Sequence, residues 1–250
     1  MALLRLFKWL CTLVFAAAVL SALAVLLLRV WHPVTSAFML EEKSAASAAG
    51  ERHYQTHYEW VDYARIAPSA PLAVIASEDQ QFPFHHGFDV NSIHAAEVNN
   101  AEGGRLHGAS TISQQLAKNL FLWPGRSYLR KAVEAWFTVL LETLWPKQRI
   151  LEAYLNVVQF GPGVFGVEAA AHAFFHVSAA ELTASEAAQL AAVLPNPERL
   201  HADRPSRYVL ERRDWILGQM RTLAEANYLN LVARAVRPPQ PAEPPRHSRH

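Results

Sequence analysis

Twenty consecutive residues, Trp9 to Leu28, carry no charge, and that run constrains everything after it. At about 1.5 Å per residue a helix of this length reaches roughly 30 Å, the thickness of a bilayer's hydrocarbon core. Arg5 and Lys8 precede the run; Arg29 follows it, with Glu41, Glu42 and Lys43 further on. The flanking cations favour a cytoplasmic N-terminus, although Arg29 reduces the asymmetry. A cleaved leader is the alternative, but leader cores usually hold about 7–15 apolar residues, so the run predicts an uncleaved anchor. Residues 1–8 are then cytoplasmic, 9–30 span the membrane once, and the remainder works on the far side.

Residues 60–236 are enough for one domain with a sizeable core. The net charge of +1 gives no broad basic field, so nucleic acid is not an expected partner. The single cysteine, Cys11, sits inside the apolar run and leaves neither an internal disulfide nor a cysteine metal cluster. Residues 31–59, polar and rich in small side chains, read as a juxtamembrane linker. The proline-rich stretch 237–250 reads as disordered.

Beyond Gly108 the pattern is helical. Ser110 or its neighbour caps a helix to about Phe121, with Thr111 and Gln114 at capping-box spacing. Ser127 caps a second, which Pro146 ends. A third starts near Lys147 and carries Ile150, Leu151, Tyr154 and Leu155 as one apolar stripe, ending at Gly161, Gly163 and Gly166. A fourth covers Val167 to Phe175, and Thr183 with Glu186 opens a fifth that stops at Pro195. Pro205 suits the first turn of a last helix through about Tyr228. Pro71 to Ser77 is ambiguous between helix and strand. Strand signals are scarce, so the fold class is mainly α.

Four clusters could do chemistry. Glu78 and Asp79, beside Val74, Ile75 and Phe82, suit one general base in a partly dry cleft, followed by His85 and Gly87. Adjacent acids at an element end are more often caps, a reading that fits Asp79 better than Glu78. The run from Gly108 to Asn119 holds a glycine turn before a helix start, a place that suits an anion, with Gln114 and Lys118 on one face. An ordinary capped helix with a polar face explains it equally well. Arg130, Lys131 and Glu134 share a face as an ion-pair network or as a cationic clamp for phosphate. Glu152 and Asn156, four apart behind an apolar stripe, are expected to be structural more than functional. His172 and His176 have ligand spacing but no partnering acid in a His-Glu-x-x-His pattern, and His85-His86 has no metal pattern either.

The order of these clusters is more specific than any of them alone. Glu-Asp-x-x-Phe-x-x-His-x-Gly, Gly-x-Ser-Thr-Ile-x-Gln-Gln-x-x-Lys-Asn, Arg-Lys-x-x-Glu and Lys-x-x-Ile-Leu-Glu-x-Tyr-Leu-Asn follow one another between Pro68 and Leu200. Together with Leu-Pro-Asn-Pro at 194–197, the chain resembles the peptidoglycan glycosyltransferases of family 51, in particular their monofunctional biosynthetic transglycosylases. The resemblance implies a lysozyme-like, two-lobed helical domain in the inner membrane of a bacterium, facing the periplasm. It implies that lipid II and a lipid-linked glycan chain are joined with inversion into β-1,4-linked polymer, releasing undecaprenyl pyrophosphate. None of the five lysines has a serine three residues before it, so no transpeptidase activity is expected.

Carried over by motif, Glu78 is the base that takes the acceptor proton. Glu134 is the second acid, near the pyrophosphate, through a divalent ion (Mg or Mn) or by holding the basic residues. Lys118, Arg130 and Lys131 are the pyrophosphate clamp. Ser110, Thr111, Gln114 and Gln115 line the donor groove; Asn119, Asp79, Phe82 and His85 support it. By analogy with inverting hydrolases the two carboxylates stand roughly 6.5–9.5 Å apart. Penicillin-binding or division proteins are the partners implied, though no motif identifies one. Two positions depart from the pattern: Gln159 where an acid precedes Phe-Gly, and His176 where glycine follows Phe-Phe. A lytic enzyme of similar shape and an inactive anchored scaffold are the competing readings. Finally, Leu120 to Trp123 form an apolar tip, to be either core or a loop dipping into lipid headgroups.

Overall fold

The computed structural model describes residues 2–89, 110–123, 125 and 127–234. Gly108 and the 237–250 tail therefore lie outside the described residues. The uncharged run becomes α1 (Ala2–Val30), a single helix that takes in Arg5 and Lys8 as well. It is long and apolar enough to cross a membrane, with a mean hydropathy of 2.7 in its most apolar stretch. Its C-terminal half docks on the domain. Trp136 and Trp145 donate their indole N–H groups to Ser21 Oγ (3.0 Å) and the Val25 carbonyl (2.8 Å). The Arg149 guanidinium donates to the Leu28 and Trp31 carbonyls, which the helix end leaves without intrahelical partners.

The stretch read as a linker contains a helix, α2 (Ala37–Ala48). Serines and alanines that looked like a flexible spacer are helix-compatible, and Ser36 caps them while Met39 and Ala46 are buried. The ambiguous segment is α3 (Ser69–Glu78), in which Ala70 through Ala76 are all buried. Such a helix has no polar face, so no 3.6-residue period marked it.

After α3 come α4 (Ile112–Phe121), α5 (Tyr128–Leu144), α6 (Lys147–Val157), α7 (Val167–Phe175), α8 (Ala184–Val193), α9 (Arg207–Glu225) and α10 (Tyr228–Arg234). The capping boxes at Thr111/Gln114 and Thr183/Glu186 both form, and Ser127 caps α5. Pro205 lies before the capping residue Ser206, one step outside the turn expected for it. The last helix breaks at Asn227, whose φ of 54° turns the chain into α10.

The glycine-rich turn after α6 holds β2 (Gln159–Gly161) and β3 (Val164–Phe165), and β3 also pairs in parallel with β1 (His57–Tyr58). Strands this short carry no readable alternation. α3 packs against α8 and α9, α4 packs against α5 and α6, and α1 and α2 lean on α5 and α4 respectively. One continuous apolar core runs beneath all of them. The molecule is thus mostly helical, with an α3/α8/α9 group and an α4/α5 group meeting at α6, which touches both α3 and α4.

Candidate active site

Glu78 is the last residue of α3 and is half-buried. One carboxylate oxygen accepts from the Ser77 hydroxyl (3.1 Å) and the other from the Gln115 side-chain amide (2.9 Å). Gln115 is itself oriented, because its carbonyl accepts from the hydroxyl of Tyr154 at 2.9 Å. Tyr154 has no exposed surface, and burial pushes its phenol pKa well up, so it serves as a donor. A fixed chain of donors therefore runs from the core to Glu78. On the other flank, Arg212 of α9 donates to the Ser77 carbonyl at 3.2 Å.

Asp79 behaves as the cap that its position suggested, but for another helix. Its carboxylate accepts from the backbone N–H of Ile112 at 3.0 Å, at the start of α4. The same oxygen accepts from His85 Nε2 at 2.9 Å, while His85 Nδ1 accepts from the Gly87 N–H at 3.1 Å. That pair of bonds assigns the proton of a neutral ring to Nε2. Gly87 has a φ of +90°, and a Cβ there would stand 2.7 Å from Thr138 Cγ2. Only glycine allows this close approach. Its carbonyl accepts from Thr111 Oγ1 at 2.6 Å, which closes the rivet between the end of α3 and the start of α4. Phe82 is fully buried beneath the Lys147 ammonium, 4.5 Å from its ring centroid.

Glu134 on α5 is buried and holds two cations. Arg130 Nη1 lies 3.0 Å from one oxygen and Lys131 Nζ 2.5 Å from the other. Arg130 Nε is buried without a hydrogen-bond partner, a donor that an anion would satisfy. Lys118, near the C-terminal end of α4, has no carboxylate at ion-pair distance among the described residues. Burial lowers its pKa, and its field includes Glu134, Arg130, Lys131 and Glu78. Glu78 and Glu134 each keep their own donors and share none.

Other expected residues fall elsewhere. Thr111 and Gln114 are buried and bonded to each other, the Thr111 N–H reaching Gln114 Oε1 at 3.1 Å, so they build the helix start. Ser110 is exposed beside them and Asn119 is buried. Glu152 and Asn156 sit apart from the cleft. They accept from the Tyr63 and Val61 N–H groups and so staple the entry segment to α6. Of the apolar tip, Leu120 and Leu122 are core and Phe121 stacks on Phe137, centroids 4.2 Å apart; Trp123 remains half exposed. Tyr154 and Arg212 were not anticipated as site residues. Tyr154 lay hidden in an apolar stripe, and nothing local marks Arg212 among the arginines of α9.

Among the described residues no three His, Cys, Asp or Glu side chains gather as metal ligands. Each oxygen of Glu134 is engaged by one cation, Arg130 or Lys131.

The described residues thus form a helical domain joined to one apolar helix, with Glu78 at the end of α3 and a cluster of cations on α4 and α5. Comparison with known proteins gives the family. The transglycosylase family model matches residues 44–221, and the chain belongs to that family. Similar proteins include the biosynthetic peptidoglycan transglycosylase of Xanthomonas euvesicatoria pv. vesicatoria (strain 85-10), 53% identical over 92% of this chain and 93% of that protein. Those of Pseudomonas fluorescens and Klebsiella oxytoca are 52% identical, over 88% and 89% of this chain and 91% and 92% of the relatives.

Proposed function

We propose that this chain polymerises the glycan strands of peptidoglycan on the periplasmic face of the inner membrane. The support comes from family membership and from one observation: Arg130 and Lys131 pair with Glu134, and Lys118 lies within the field of that group and of Glu78. In this reading the 4-hydroxyl oxygen of lipid II attacks the anomeric carbon of the lipid-linked chain. Glu78 takes the hydroxyl proton, the bond from that carbon to the pyrophosphate oxygen breaks, and undecaprenyl pyrophosphate leaves with the electron pair. Attack from the opposite face converts the α-linked donor into a β-1,4 bond.

The residues suit these steps. Gln115 and Ser77 fix the Glu78 carboxylate and leave it lone pairs for the acceptor proton. Lys118, Arg130 and Lys131 match the charge that grows on the pyrophosphate, with the idle Arg130 Nε as one ready donor. Glu134 keeps two of these cations side by side, where they would meet the leaving group. A cation cluster would be wasted on the uncharged leaving group of a strand-cleaving reaction, which disfavours a lytic enzyme. The position of α1 supports the membrane geometry, since its outer end is bonded to α6 through Arg149. A polyprenyl pyrophosphate at headgroup level then meets the cations without leaving the bilayer.

The test is polymerisation of labelled lipid II by the full-length protein beside Glu78→Gln. Loss of at least about a thousandfold with an unchanged unfolding midpoint is expected, since the amide keeps the volume but cannot accept the proton. Polymer from Glu78→Gln at the wild-type rate would remove Glu78 from the role. Release of muropeptides from intact cell wall by the wild type would replace this reading with the lytic one.

A further inference from the structure

α2 reaches the site with a first half that lies outside the matched stretch. Phe38 lies in its first turn, with Lys118 Nζ 5.1 Å from the ring centroid. That is inside the ~6 Å range over which an aromatic face attracts an ammonium. Four residues on, and so on the same face of the helix, Glu42 is doubly bonded to the sheet. It accepts from the Gln159 side-chain amide at 2.8 Å and from the Gly163 backbone N–H at 2.8 Å. Residues 37–43 precede the 44–221 stretch that the family model matches.

We propose that Phe38 is a positioning residue for Lys118 and that the Glu42 latch on the β2–β3 turn holds it there. This rests on the reading of Lys118 as part of the pyrophosphate clamp. An ammonium on a four-carbon stem needs a resting place, and with Glu134 already paired to Arg130 and Lys131 a second carboxylate would cancel more of the clamp's positive charge. An aromatic face attracts the ammonium and leaves its charge intact. The groups facing Lys118 are Glu134, Arg130 and Lys131 from α5, Glu78 from α3 and Phe38 from α2. Gln159 then has a purpose: an acid at that position would repel Glu42, whereas its amide donates to it. Burial raises the Glu42 pKa, consistent with a latch closed over by protein. Only residues 31–36 separate α1 from α2, so the latch also ties the anchor to the site.

The experiment uses full-length protein in liposomes with lipid II, comparing wild type, Phe38→Leu and Phe38→Tyr. In parallel, labelling of Lys118 by acetic anhydride as a function of pH, read by mass spectrometry, needs no turnover. Phe38→Leu keeps apolar cover but loses the ring. Polymerisation should fall roughly tenfold and the Lys118 labelling midpoint should move down, with Phe38→Tyr restoring both. The latch is tested by Gln159→Glu, which should lower polymerisation severalfold, and by adding Glu42→Gln, which exchanges amide and carboxylate and should recover it.

A Lys118 midpoint that does not fall in Phe38→Leu overturns the proposal, even if polymerisation drops, because the ring would then be mere packing. Equal rates for the single and double latch variants overturn the latch. If the wild type makes no polymer, the functional reading fails, and the labelling midpoint still decides whether Phe38 governs Lys118.

Discussion

The two walls of the site are held in different ways. Glu78 ends a helix in which seven successive residues are buried, and its carboxylate is oriented by a donor chain that starts at a fully buried tyrosine. Glu134 lies on α5, where the other buried residues are only Thr138 and Leu141. Tyr128, Leu129, Trp136 and Val139 of that helix are exposed, Tyr128 almost completely. The same helix carries Trp136, which bonds to Ser21 of the membrane-span candidate. Glu78, the proposed base, is therefore placed by protein packing, whereas the Glu134 wall, the proposed clamp, leaves apolar surface that a bilayer beside α1 would cover. Proton transfer needs fixed geometry, and a headgroup-level clamp has to meet a lipid in motion, so the division suits the chemistry.

Breaking the base wall should cost most. Asp79→Ala strands the Ile112 N–H and the His85 donor together in a buried place, and should lower unfolding stability by about 3 kcal/mol in a denaturant titration. A loss below about 1 kcal/mol would show that this wall is no more tightly built than the other. The matching change on the clamp wall is Arg130→Lys, which keeps the charge but loses the planar fork and the idle Nε donor. It should reduce kcat/KM for lipid II about tenfold, ~1.4 kcal/mol, at unchanged stability. A stability loss as large as that of Asp79→Ala would erase the distinction.

The contrast also explains what the sequence disclosed. The clamp-side helices were readable through their caps: Thr111 with Gln114 and Ser127 announced where α4 and α5 begin, although seven of the ten residues of α4 are buried. The base-side helix α3 was not, because burial on every side removes the period that betrays a helix. Helix α2 was missed for the opposite reason, its alanines and serines offering little apolar signal although Met39 is almost fully buried. The motif residues Glu78, Lys118, Arg130, Lys131 and Glu134 were legible through their order along the chain. Thr111 and Gln114 belonged to the same motif, yet the structure uses them to build a cap. The contacts of Tyr154, Arg212 and Phe38 join residues tens of positions apart, and no local pattern encodes such meetings.

If lipid completes the clamp wall, its exposed aromatics should sit beside acyl chains. Trp123, at the foot of α4, is half exposed and is one of seven tryptophans. In liposomes containing brominated lipid, Trp123→Phe should remove a quenched component of the emission, roughly one tryptophan's share. Equal fractional quenching in wild type and variant would place Trp123 in water and confine the bilayer contact to α1 and its immediate neighbours. This effect is smaller than the two above because the anchor alone keeps the protein on the membrane.

The smallest expected effect comes from a change in neither wall, and it calibrates the others. His176 ends α7 with φ 61° and ψ 30°, a left-handed conformation that a residue with a Cβ adopts at a cost of roughly 1 kcal/mol. Its side chain is exposed and makes no contact with Glu78 or Glu134. His176→Gly removes the strain but adds freedom to the unfolded chain, so the net gain should be about 0.5 kcal/mol. Polymerisation should not change, since α7 contributes nothing to either wall. A gain in stability with a fall in activity would mean that rigidity at α7 is transmitted to the site through β3, and that the division into two walls leaves out a third support.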